Sequence, residues 1–559
     1  MFTVLVWGGV CLHKEDRKGI HIHDNISSSP SMEDKEEWAL DARENLMEPA
    51  HISDRDFTDI IATRAQTLLG LANYLCQCES YRSALTRPFL GELLSQSIQM
   101  EELLDTYDAR NNCRWCLFRS LVAGLKLFSD VSYELLHIQH ALPAYCLLSI
   151  EHDFVKATDE SLDFTGQVLV CTADRTIRRA RELGLPVPSE NFREQSYTEQ
   201  ITPGRLPHDC SARKKGTASE MVTMLATAFL NLAAESEGVR MAARAKPGEY
   251  PSYLASSVTE EKLRSLELRF HNLQSLYDTY VSGTEVEYVD SDLPVLRGHI
   301  SVVFHLLSTA TLFAHYYERH LSKESCEKRA AYGRLVDSEA LLERLMNYSI
   351  LHIGLYIGCA EQLCQEMLKR YSEVGEIEVS VPRYRGFHVR PSTLVSKLVL
   401  HYGGDVHMEM GGDKYDARSP LELFRANEKI NAEKRRWLAS EIVKLKIVDN
   451  TCRLEDIQSV VRQVILAMAG RSRLILYEQP LQMPAEPASK EGSLLQRVTD
   501  EMARLLAMGK IDIEANLNAR FIGDKRVLAD IRLLAECGYG EDKFGNNIPL
   551  PDGLKYLRR

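Results

Sequence analysis

The sequence contains no run of about 18 uninterrupted apolar residues, so a transmembrane span is not expected. The apolar stretch Phe2–Leu12 has no basic residues ahead of it and no small-residue cleavage pattern, which argues against a signal peptide. Positive charge is not in excess: Lys+Arg 67 against Asp+Glu 79 gives a net charge of −12. General nucleic-acid binding is therefore not expected, although short basic clusters occur at Arg213–Lys215 and Lys434–Arg436. The 13 cysteines are odd in number and lack framework spacing, which fits free thiols in a reducing cytoplasm. No P-loop, dinucleotide fingerprint, kinase signature or 20–50-residue repeat is evident. What remains is a 559-residue chain, 45% apolar and 26% charged, with room for two to four soluble domains.

Residues 1–52 read as a poorly ordered N-terminal segment, with the turn-rich Asn25–Pro30 and a second candidate start at Met32. From 53 to 187 the pattern is mainly helical: Phe57, Ile60, Ile61, Leu68, Leu71 and Leu75 share a face behind Ser53 or Asp54. Gln167–Cys171 is read as a strand before a helix over Ala173–Leu183. Residues 188–215 are polar and Pro-bearing, as a linker or long loop would be. Thr217-Ala-Ser-Glu220 is a capping box. It opens a helical bundle over 216–372, with stripes at His299, Val303, Leu306, Ala310, Phe313 and at Met346, Ile353, Tyr356, Ala360, Leu363.

After Tyr371 the period changes. Glu376–Val381 alternates as a strand, Pro391–His401 is helical, and Asp405–Met410 turns through Gly411-Gly412 into Lys414–Ala417. A helix over Pro420–Ala439, a strand over Ile442–Val448 and a helix over Leu454–Ala469 complete a β-α-β-β-α-β-α order. This expected domain spans 375–480, followed by a linker at 481–493 and a C-terminal helical tail at 494–559.

The chemistry-bearing segment is Arg385-Gly-Phe-His-Val-Arg-Pro-Ser392. Pro391 suits the first turn of a helix, which places His388 just ahead of it. The N–H groups of Ser392 and Thr393, the helix dipole and the fork of Arg390 are expected to converge on a phosphate carried by His388. A neutral imidazole nitrogen can act as nucleophile toward an activated phosphoryl donor.

Gly386-Phe-His-Val-Arg-Pro-Ser-Thr393 resembles the active-site pattern of HPr, the histidine phosphocarrier of the bacterial phosphoenolpyruvate-dependent phosphotransferase system. The resemblance implies an α+β open-faced sandwich with His388 as phosphoacceptor and Arg390 as phosphate clamp. It also implies an Enzyme I-like donor and a phosphoryl recipient or regulated protein. The family's regulatory serine, 31 residues after its histidine, falls on Ser419. Two departures stand out, a long helix through Arg425–Trp437 and Pro420 directly after Ser419. No cofactor and no metal are expected, and the chain is read as a carrier or regulator in a bacterial cytoplasm. A scaffold that has kept this fold without transferring phosphate is the alternative.

A third reading places a metal-dependent enzyme in the N-terminal half. Val168–Asp174 and the helix after it resemble the closing strand and helix of PIN-type nucleases, without the acid-bearing first strand. Cys76, Cys78, Cys113 and Cys116 lack zinc-site spacing and read as buried free thiols. His315 with Glu318, and His352 with Glu361, fall short of the paired Glu-x-x-His pattern of di-iron bundles. His299, His305, His315 and His352 read as ordinary core histidines.

Overall fold

The computed structural model describes residues 51–188, 197, 199, 206, 217–321, 334–446, 448, 457–478, 480–484, 491–514 and 516–557. Most of the expected N-terminal segment and of the 188–215 stretch, Arg213–Lys215 included, lies outside the described residues. Helix α1, Asp54–Arg64, begins where Ser53 Oγ accepts from the Asp56 N–H.

From Ala62 onward the chain forms one body that is mostly helical and carries a small antiparallel sheet. The longer helices before residue 371 are α2 (Gln66–Gln77), α3 (Arg87–Thr106), α4 (Cys116–Ala141), α5 (Phe154–Glu182), α6 (Ala218–Glu235), α7 (Glu260–Tyr280), α8 (Asp292–Tyr316) and α9 (Leu351–Arg370). The strand expected at Gln167–Cys171 is absent, because α5 runs unbroken through it. Leu162, Thr165, Val168, Leu169, Thr172, Ala173, Thr176 and Ile177 are buried on one helical stripe, and that three-and-four spacing outweighs the local β-branched content. The stretch that resembles the closing strand of PIN-type nucleases is thus helical.

Thr217 and Glu220 form the capping box at the start of α6, each side chain bonded to the other's backbone N–H. Helix α8 is the hub of the helical part, packing on α4, α7 and α9. It is long and apolar enough to cross a membrane by composition, yet most of its apolar window is buried among its neighbours.

The sheet contains β1 (Val374–Ser380), β2 (Val406–Met410), β3 (Asp413–Asp416) and β6 (Asn518–Asp524), in the order β1-β6-β2-β3. Helix α10 (Val389–Tyr402) follows β1, α11 (Pro420–Arg425) and α12 (Asn427–Leu445) follow β3, and α15 (Lys525–Glu536) follows β6. Gly403, at φ 64° beyond the end of α10, turns the chain into β2 in a left-handed conformation that glycine adopts cheaply. Val406, Met408, Ala519 and Phe521 point into the core. Arg520 on the opposite face pairs with Glu376 and Glu409 across the strands.

The expected fourth strand at Ile442–Val448 is not one. Its first residues end α12, where Leu438 and Ile442 face an inserted core. That insertion comprises α12, α13 (Ile457–Gly470), β4 (Leu474–Leu476), α14 (Leu494–Ala507) and β5 (Ile511–Ile513), with β4 paired antiparallel to β5. The strand that fills the gap between β1 and β2 is β6, within the stretch expected to be a helical tail.

Candidate functional site

Phe387 is fully buried against Phe521 and Tyr539 and anchors the loop between β1 and α10. Arg385 and Gly386 both take left-handed conformations, at φ 53° and 65°, which turns the chain sharply before His388. Asn427 Oδ1 accepts the Phe387 N–H at 2.8 Å. Arg385 donates to Gly509 O at 3.0 Å, and its guanidinium lies over the rings of Tyr384 and Tyr477. Below them, buried Asp512 receives Lys434 Nζ at 2.6 Å, the Tyr477 hydroxyl at 3.2 Å and the Arg385 N–H at 3.3 Å. Burial and Asp512 together push the Tyr477 phenol well above its usual range. The insertion thus braces the loop that carries the histidine.

His388 is the N-cap residue of α10, with extended backbone at φ −72° and ψ −172°. Its ring meets the edge of Tyr384 at 5.3 Å between centroids. Its Nε2 lies 2.7 Å from Glu541 Oε1. Arg390 Nη1 lies 3.5 Å from Glu541 Oε2, an ionic approach without hydrogen-bond geometry. The His388 side chain is 22% exposed, and that of Glu541 only 2%.

Helix α10 starts at Val389, two residues before Pro391, so Pro391 sits inside the first turn. This changes the expected anion site. The Ser392 N–H already donates to His388 O at 3.1 Å, and its hydroxyl donates to Phe387 O at 2.8 Å. The Thr393 hydroxyl donates to Val389 O at 2.6 Å. Ser392 and Thr393 therefore shape the helix start, while Arg390 approaches the same Glu541 carboxylate that His388 meets. Ser419 is the N-cap of α11, half-buried, accepting from the Glu422 N–H at 3.3 Å with Pro420 in the first turn.

Glu541 has no counterpart in the sequence-based reading. It lies 153 residues beyond His388, in a turn-rich stretch with no motif. A loop after α15 brings it back: Glu541 pairs with Asn547, and the Ile548 N–H donates to Gly540 O at 2.9 Å.

Elsewhere, His299 and His352 are buried, each with Nδ1 against the carbonyl four residues earlier, at 2.9 and 2.7 Å. His305 Nδ1 meets Glu134 Oε2 at 2.7 Å, and its ring lies tilted against that of His137 at 4.2 Å between centroids. Glu134-Leu-Leu-His137 is a Glu-x-x-His pair overlooked in the sequence, but no group of three metal-ligating side chains converges among the described residues. Cys76, Cys78, Cys113 and Cys116 are free thiols, with Cys76 and Cys113 exposed, contrary to the expectation of burial. A cleft of about 390 Å³ lined by Glu220, Thr223, Tyr371, Glu373, Lys525 and Arg526 involves none of the residues around His388.

Comparison with known proteins returned no match to a family model, a curated protein or a solved structure.

Proposed function

We propose that this protein is a cytoplasmic phosphocarrier or regulator of the HPr type, in which His388 accepts a phosphoryl group from an Enzyme I-like donor. The observation that carries this reading is the placement of His388 at the start of α10, at the end of the loop from β1, with Arg390 Nη1 3.5 Å from the carboxylate that the imidazole meets. With residues 427–517 set aside, the remaining elements follow the β-α-β-β-α-β-α order of the resemblance, with β6 as the last strand and α15 as the last helix. A neutral imidazole at a helix N-terminus combines a nucleophile with the positive end of a helix dipole, which favours the phosphorylated product. Added charge of about −2 at His388 would then be felt by Glu541 and the C-terminal loop, a route from phosphorylation to regulation.

A second reading is a non-transferring interaction protein with the same domain. It is favoured by the buried carboxylate that already occupies the His388 imidazole. Incubation of the protein with phosphoenolpyruvate and Enzyme I separates the two. The carrier reading expects an acid-labile phosphate that His388→Ala abolishes. No such phosphate with any phosphotransfer donor leaves the scaffold.

A further inference from the structure

Burying a carboxylate is costly unless it is paired, and Glu541 is among the most deeply buried acids described. The loop that carries it is held together without help from His388. The Asp542 carboxylate accepts from the N–H groups of Phe544 and Asn546, at 2.8 and 2.9 Å, and the Tyr539 hydroxyl ties the loop to Ser380 O at 2.9 Å. Glu541 Oε1 is therefore delivered to the imidazole by a preorganised support.

A carboxylate offers only acceptors, so the ring nitrogen facing it at 2.7 Å carries the hydrogen. In the neutral ring the lone pair then sits on Nδ1, which makes no hydrogen bond to any described residue. We propose that Glu541 is a positioning residue, which holds His388 in its Nε2–H form and leaves the Nδ1 lone pair free for the phosphoryl donor. This inference rests on the phosphoryl-transfer reading and deepens it.

In the step, the Nδ1 lone pair forms a bond to phosphorus. The bond from phosphorus to the donor's leaving group breaks, and its electron pair departs with that group. The Nε2 hydrogen stays on the His388 ring, and the positive charge created there faces the Glu541 carboxylate. The arrangement follows the general logic of a carboxylate fixing the tautomer of a reacting histidine.

Phosphoramidate, a small donor that needs no Enzyme I, tests the proposal on the full-length chain. The wild-type ring is expected to show the Nε2–H form in its ¹⁵N shifts and to take phosphate at Nδ1. Glu541→Ala is expected to lose the tautomer preference, to give a mixture of Nδ1 and Nε2 products, and to react about tenfold more slowly. Glu541→Gln, whose amide oxygen still accepts from Nε2–H, is expected to restore the Nδ1 product. A wild-type ring with its hydrogen on Nδ1, or an unchanged product in folded Glu541→Ala, overturns the proposal. Phosphate on Nδ1 from phosphoramidate but none from phosphoenolpyruvate with Enzyme I overturns the carrier reading alone.

Discussion

At Gly386 the backbone leaves no room for a side chain. Its φ is 65°, and a Cβ there would come within 2.4 Å of Asn427 Oδ1, the atom that holds the Phe387 N–H. Gly386→Ala is therefore expected to cost about 2 kcal/mol, read as a lower urea midpoint, and to slow phosphoramidate modification of His388. An unchanged midpoint would show that the loop is not held by this contact. The position of His388 at a helix start, with Pro391 in the first turn, is legible because it depends on neighbours within one helical turn. The helix start lies two residues earlier than Pro391, at Val389, so the Ser392 N–H is used inside the helix. Glu541 was not legible, since its meaning comes only from the distant ring it touches.

Among the elements, β6 is the one on which the sheet depends. It pairs with β1 over seven residues and with β2 over four, so without it β1 has no partner among the described residues. A chain ending at Leu517 is expected to lose amide-exchange protection across β1 and β2 while the helices of the bundle keep theirs. The fragment 375–480, which contains the whole expected domain, is likewise expected to give no folded NMR spectrum. Folding of either piece with native-like protection would contradict the central place of β6. Alternation at Ile442–Val448 suggested the fourth strand, but four alternating positions also fit the last turn of a helix. Leu438 and Ile442, four apart, close the core of the insertion together with Val461, Val464 and Val498, and that burial decides the conformation. The true strand, Asn518–Asp524, has the same alternation, with Ala519 and Phe521 inward and Asn518 and Arg520 outward.

Across the whole molecule, buried titratable groups set opposing responses to pH. Asp130 on α4 is pushed up from its ordinary 3.8 to about 7 by burial first and then by Glu134 and Glu267, against the weaker pull of Lys126. The folded state then holds a proton between about pH 4 and 7 that the unfolded chain releases, so stability falls as pH rises through that window. Asp130→Asn is expected to add about 2 kcal/mol above pH 7 and nothing below pH 4, in urea unfolding at each pH. An equal effect at both extremes would rule out titration as its cause. His401 acts with the opposite sign. Burial against the Tyr556 ring lowers it from 6.5 to about 4, so its contribution to stability is lost as pH falls through that interval. Its Nε2 meets Asn231 Oδ1 at 3.0 Å, which ties α10 to α6 and so couples the site helix to the bundle.

Composition and local pattern were enough to determine a mostly helical chain, the Thr217 capping box, the hairpin at Gly411-Gly412 and the histidine that opens α10, because each depends on residues a few positions apart. Only the tertiary structure decided that α5 is unbroken, that a separate core interrupts the sheet domain and that β6 completes the sheet. It alone placed Glu541 on the His388 imidazole. Those outcomes depend on which faces find each other across tens to more than a hundred residues, and neither period nor motif encodes that pairing.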